Sequence, residues 1–151
     1  MLTEQLAGIL KDEKNLLSSI LKTAEKKQTA LVSNNRDALD ATIKEEEKYL
    51  PRLRELEILR IKAIQTIYLS TGKKTDDYTI GTLLAEFDEN LSDDEKNNLA
   101  SKQKAIRDLI NTVTKLNDQN LYLINHSRRF INETINAIIN SSERSILDKK
   151  V

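Results

Sequence analysis

The chain of 151 residues contains no cysteine and no tryptophan, and it has one proline, three glycines, four tyrosines and two phenylalanines. The lack of cysteine excludes thiolate zinc sites, disulfide scaffolds and thiol nucleophiles, and it fits a reducing compartment. Because glycine and proline disfavour helix interiors, their scarcity favours long helices. Lys plus Arg equals Asp plus Glu, at 24 each, so no net charge attracts nucleic acid and none is expected as a partner.

The sequence also lacks long apolar segments. No window approaches the ~20 apolar residues that a membrane-spanning helix needs, so membrane insertion is not expected. The N-terminal stretch MLTEQLAGILKDEKNLL has neither a basic region nor a continuous apolar run, so it is not a signal peptide. These absences predict a soluble, cytoplasmic, all-helical protein.

Apolar residues recur at spacings of three, four and seven, which is typical of helices packed in a bundle. The pattern predicts an all-α fold, an antiparallel bundle of three long helices plus a short one, in a single domain over residues 1–151. Long helices are predicted over 3–32, 36–69 and 93–147. A linker with a short helix is predicted over 70–91.

Local signals predict where these helices begin and end. Asn34 and Asn35 predict a tight reversal, since an asparagine side chain accepts hydrogen bonds from the first N–H groups of a helix. The apolar spacing keeps its phase through Pro51, which predicts a kink there and not a stop. Ser92 and Glu95 have the spacing of a capping box, a strong start signal for the last helix.

The last helix is unusually long, at about 80 Å for a rise of about 1.5 Å per residue. If it runs back along the second helix, we expect the second helix to cover it only as far as about Ser127. The rest of the last helix would then project beyond the bundle. The alternative is a bend near Asn125 that folds the chain back as a fourth helix. Its apolar residues form two neighbouring rows at sevenfold spacing. These rows are Leu109, Leu116, Leu123 and Phe130, and Ile110, Asn117, Ile124, Ile131 and Ile138.

Asparagines interrupt the apolar face of this helix. We expect Asn117 and Asn120 to point into the bundle with amide partners. Buried amides of this kind commonly enforce one helix register at a cost in stability. The other interpretation is a helix face kept suboptimal so that partner helices can exchange onto it.

No pattern of catalytic or metal-binding residues is present. His126 is the only histidine, and Leu123 stands where a di-iron motif needs Glu, so no metal site is expected. The glycines are isolated, so there is no phosphate-binding loop. We expect no cofactor and no enzymatic activity.

An apolar helix face beyond the bundle predicts protein binding. An amphipathic helix could lay its apolar side on it, in the manner of helix-in-groove recognition. The alternative is a structural coiled-coil protein that uses the same face to form a homodimer. The candidate partner-binding residues are Leu123, Phe130, Ile131, Ile135, Ile138, Ile139 and Ile146.

Several segments of the chain resemble the FlgN family of flagellar export chaperones, over most of the length except residues 70–95. The matching residues are Lys27-Gln28-Thr29-Ala30-Leu31-Val32, the Asn34-Asn35 turn, and Glu47, Leu50, Leu53, Leu56, Glu57 and Arg60. The family's C-terminal pattern, with paired asparagines, is similar to Leu116-Asn117, Asn120, Leu123-Ile124, Ser127 and Phe130.

The resemblance implies a cytosolic chaperone of the flagellar type III export system. Such proteins bind amphipathic C-terminal helices of the hook-associated proteins at the hook–filament junction, prevent their premature assembly and deliver them to the export gate. The resemblance also places client binding on the C-terminal helix. Some family members use a tyrosine in a C-terminal tail at the gate, whereas this chain has no tyrosine after Tyr122.

Overall fold

The computed structural model describes the backbone of residues 2–150 and the side chains of residues 3–141. Four helices follow one another: α1 (Leu2–Val32), α2 (Arg36–Thr71), α3 (Ile80–Glu86) and α4 (Asp93–Lys150). The described residues contain no strand. The predicted all-α class is confirmed.

The first helix, α1, lies at the centre of the bundle. Both α2 and α4 pack along its length, whereas α2 and α4 barely contact each other in the described part of the chain. The expectation that the last helix runs along the second helix is therefore wrong. The physical reason is that the apolar stripe of α1 is wide enough to serve two neighbours. Its buried apolar residues are Leu6, Ile9, Leu10, Leu17, Ile20, Ala24 and Ala30.

The first and last long helices run in the same direction. Thr3 and Glu95 line one groove at the end of the bundle where α1 and α4 begin, which we call the lower end. Near the upper end, the Asn120 side chain donates a hydrogen bond to the Ala24 carbonyl, with 3.1 Å between the two atoms. Since α2 runs back between these ends, the long helices are arranged up, down and up, as in other helix bundles.

The reversal between α1 and α2 occurs at the predicted asparagines. Asn34 has a φ of 53°, in the left-handed region that asparagine tolerates better than most residues. Asn35 caps α2, because its side-chain oxygen accepts a hydrogen bond from the main-chain N–H of Ala38 at 3.1 Å. Further along, α2 continues through Pro51 without a break.

The lower end of the bundle is closed by α3. Leu83 and Phe87 are buried there, and the Phe87 ring meets the Tyr68 ring edge-on at a centroid distance of 5.0 Å. The Lys73 ammonium lies 4.4 Å from the centre of the Phe87 ring. This cation–π contact holds the loop between α2 and α3 against the end of the bundle. These contacts make the short helix part of the same apolar core as the long helices.

The capping box forms at the start of α4. The main-chain N–H of Glu95 donates to the Ser92 hydroxyl at 3.2 Å, and the main-chain N–H of Ser92 donates to the Glu95 carboxylate at 3.3 Å. From there α4 runs for 58 residues, or about 87 Å, without folding back. The alternative of a bend near Asn125 is excluded.

Candidate partner-binding site

The bundle ends at the α1–α2 turn, well before α4 does. A groove of about 420 Å³ separates this turn from α4, and Ile131 is the last α4 residue that lines it. Beyond Ile131, α4 continues for about 28 Å. We call residues 130–139 the α4 tip.

The α4 tip exposes large apolar side chains. Phe130 is 66% exposed, Ile138 is 60% exposed and Ile135 is 48% exposed, and Ile131 and Ile139 are similar. Exposure of several large apolar side chains on one short segment is unusual for a monomer and typical of interaction surfaces. The structure thus leaves these five candidate residues uncovered.

The two remaining candidate residues lie elsewhere. Leu123 is half-buried, within the part of α4 that follows α1. The side chain of Ile146 lies outside the described residues. Leu123 is therefore at the junction between the bundle and the α4 tip.

Most of the exposed tip residues share one side of the helix. At about 100° per residue, the isoleucines at 131, 135, 138 and 139 fall within a sector of about 100°. Phe130 lies outside this sector and, together with Ile138, lines a shallow groove of about 530 Å³ around Ala137. The α4 tip therefore offers an apolar ridge with an aromatic ring at its edge.

The two asparagines have different environments. Asn120 is 2% exposed and lies against α1, as expected. Asn117 is exposed, so the expectation that it points into the bundle is wrong. The rows of α4 that face α1 are Leu99, Ile106, Val113 and Asn120, with Leu109, Leu116 and Leu123 beside them. Asn117 lies beside the first row, on the side away from Leu116, where it is exposed.

The amide of Asn120 is only half satisfied. Its nitrogen donates to the Ala24 carbonyl, while its oxygen has no hydrogen-bond partner among the described residues. Leaving a buried polar atom unpaired costs roughly 1–3 kcal/mol. This residue therefore weakens the contact between α1 and α4 at the upper end of the bundle.

Replacing Asn120 with leucine is expected to stabilise the protein. Asn120→Leu removes the unpaired oxygen and adds apolar contact, while the Ala24 carbonyl keeps its bond within α1. We expect the free energy of unfolding to rise by about 1 kcal/mol or more in urea denaturation. Asn117→Leu, on the exposed flank, serves as the control and should change stability by less than about 0.5 kcal/mol. A lower midpoint for Asn120→Leu would show that the amide stabilises the bundle.

The described residues include no cluster of three or more His, Cys, Asp or Glu side chains able to hold a metal ion. His126 is exposed, and its ring stacks on the exposed Tyr122 ring at a centroid distance of 6.0 Å. No helix in the described part of the chain has the length and hydropathy to cross a bilayer.

Two large apolar residues of α4 are exposed below the tip. Ile110 is 46% exposed, although it belongs to a sevenfold row that was expected to face a neighbour. Leu121 is 57% exposed and lies in neither row. Ile110 shares a groove with Arg60 of α2. The sequence carries no signal for which helix α4 packs on.

Comparison with known proteins identifies the family of the chain. The family model described as FlgN protein matches residues 1–147, nearly the whole chain. No curated protein and no solved structure matched it. Since the family model covers far more than half of the sequence, the chain belongs to the FlgN family, and its broad role is that of a flagellar export chaperone.

Proposed function

We propose that this protein binds amphipathic C-terminal helices of the hook-associated proteins at the hook–filament junction, in the cytoplasm. The binding surface is the α4 tip, with Leu123 at its base. By covering the segment through which these clients assemble, the protein prevents premature assembly and keeps them ready for delivery to the export gate. It acts by binding alone, without catalysis or a cofactor.

The observation that carries this proposal is the exposure of five large apolar side chains on a helix that extends beyond the end of its bundle. Apolar burial is worth about 25 cal/mol per Å², so covering five half-exposed side chains supplies several kcal/mol of binding free energy. An amphipathic client helix presents the complementary surface. If the client is unfolded before it binds, ordering it lowers the affinity, which permits release without chemistry.

A structural role is the second candidate function. The same apolar ridge would suit self-association, in which α4 of one copy packs on α4 of another as a coiled coil. The observation that favours it is the isoleucine content of the tip, since isoleucine packs well between helices. In that case the free protein is already a dimer and the ridge is covered.

Light scattering separates the two candidates. We expect the protein alone to remain monomeric at micromolar concentration. On addition of a C-terminal segment of a hook–filament junction protein, its mass should rise by that of the bound segment, and the helical circular dichroism signal should increase. A concentration-dependent dimer that does not bind the segment would contradict the chaperone proposal and support the structural role.

A further inference from the structure

The exposed apolar surface of α4 extends well below the tip. Ile110 and Leu121 are about half exposed, Asn117 is exposed and Ile124 is half-buried. At about 100° per residue, these residues and the tip isoleucines lie in one sector of about 100° and span about 44 Å. We call this surface the α4 stripe. It consists of Ile110, Asn117, Leu121, Ile124, Ile131, Ile135, Ile138 and Ile139.

The stripe is uncovered because α1 moves away from it along the bundle. The α4 residues that face α1 follow a sevenfold row from Leu99 to Asn120. Such a row drifts by about 20° per seven residues around a straight helix. Near Leu99 the contact with α1 falls in the same sector as the stripe, and by Asn120 it has moved to one side. The upper part of the stripe is thereby left without a neighbour.

The second helix does not fill this space. Among the described residues, α2 and α4 both contribute to the lining of two grooves. One contains Arg60 with Ile106 and Ile110, and the other contains Leu39 with Ile124. Between them α2 exposes Ile43 (39%) and Leu50 (49%), seven residues apart and starting one turn beyond Leu39. The bundle therefore has an open position beside α1, between α2 and α4.

The charge beside the stripe is positive. At about 100° per residue, Arg128 lies within the sector of the stripe and Arg107 lies about 40° outside it, and the two are three sevenfold repeats apart. Each lines one of the two grooves, of about 240 and 420 Å³, and neither groove has an acidic lining residue. The upper groove also contains Arg36. Among the ion pairs of the described residues, none involves these three arginines.

We propose that the α4 stripe binds one continuous amphipathic helix of the exported client, which fills the open position between α2 and α4 and carries carboxylates facing Arg107 and Arg128. This inference rests on the proposed function and extends its site from the tip into the bundle. The two arginines are 21 residues apart, or about 32 Å along the helix. The client helix therefore has acidic residues about 21 positions apart beside its apolar face. Partly exposed ion pairs of this kind set direction and register more than affinity.

Site-specific labelling tests whether the client covers the lower stripe. Since the chain has no cysteine, single cysteines can carry an environment-sensitive dye without side reactions. With the C-terminal client segment of the light-scattering experiment as the probe, we expect the emission of dye at Leu121→Cys to shift to shorter wavelength. Lys115→Cys, on the opposite exposed face of α4, is the control and should not shift. An unchanged spectrum at Leu121→Cys with bound segment would overturn the proposal.

Substitutions then measure what the lower stripe contributes. Leu121 is exposed, so Leu121→Asp should leave the melting temperature unchanged. We expect it to lower the affinity for the client segment by about 10-fold or more. Arg107→Glu combined with Arg128→Glu should weaken binding about 5-fold to 10-fold at low salt and less at high salt. Lysine in place of the paired acidic residues of the segment should restore the affinity.

The outcomes separate this inference from the proposed function. If Ile135→Asp abolishes binding while Leu121→Asp and the arginine reversals leave the affinity unchanged, the client is confined to the tip and only the extension fails. If the unsubstituted protein does not bind the segment, the proposed function itself fails. If Leu121→Asp splits a dimer into monomers without changing client affinity, a second copy of the chain occupies the stripe and the extension is wrong.

Discussion

Ile135→Asp and Ile138→Asp are expected to abolish client binding and leave the fold intact. Both side chains are about half exposed and neither lines the groove beside the α1–α2 turn, so an aspartate there remains hydrated. The melting temperature and the helical circular dichroism signal should therefore stay nearly unchanged. Placing a carboxylate against the apolar face of a client should lower the affinity by about 100-fold or more, measured by fluorescence anisotropy of the labelled segment.

The matched control places the same residue in the core. Leu17 is 4% exposed between the long helices, so Leu17→Asp buries an unpaired charge and should unfold the protein at room temperature. If Ile135→Asp melted the protein as severely as Leu17→Asp, the tip would be part of the folded core. If Ile135→Asp stayed folded and still bound the client tightly, the binding surface would lie elsewhere.

Arg60→Met is expected to destabilise the bundle strongly at neutral pH. The Glu13 carboxylate on α1 is 2% exposed, and among the described residues its only hydrogen bond comes from the Arg60 guanidinium on α2 at 3.2 Å. Burial raises the pKa of Glu13, the Arg60 charge lowers it in part, and the nearby Glu57 charge raises it further. Without Arg60, the folded state must hold an uncompensated buried carboxylate, at a cost of roughly 3–5 kcal/mol.

The loss should depend on pH in a defined direction. Because the folded protein holds the Glu13 proton more tightly than the unfolded chain, the contribution of Glu13 to stability falls as pH rises from about the ordinary value of 4.5 through the raised pKa. Arg60→Met raises that pKa further. Urea denaturation should therefore show a large loss of stability at pH 7 and a smaller loss near pH 5, where protonated Glu13 needs no counter-charge.

Two further variants test this interpretation. Glu13→Gln combined with Arg60→Met should recover most of the lost stability, since no charge then remains buried. Arg52→Met removes an equally short ion pair, 3.0 Å to Glu55, whose side chains are mostly exposed, and should cost less than about 1 kcal/mol. Equal losses for Arg52→Met and Arg60→Met would mean that burial of Glu13 does not determine the effect.

Local features of the fold could be predicted from the sequence because they depend on neighbours along the chain. Ser92 and Glu95 are three residues apart and satisfy each other's N–H groups within one turn of helix. Asn35 caps α2 in the same way. The all-α class followed from the spacing of apolar residues and the scarcity of glycine and proline. An uncovered face at the tip was also predicted, and client binding there stays a prediction.

The sequence by itself determined that α4 is one long helix with two apolar rows, because helical periodicity and the absence of breakers are properties of the chain alone. Only the tertiary structure decided which row is buried. Packing α4 on α1, and not on α2, turned Asn120 inward and left Asn117 and Ile110 on an open flank. A sevenfold repeat indicates that a helix packs against another helix. Which helix it packs against depends on the width and position of the apolar stripes on helices far apart in the sequence. That competition between helices far apart in the chain also determined the open position beside α1.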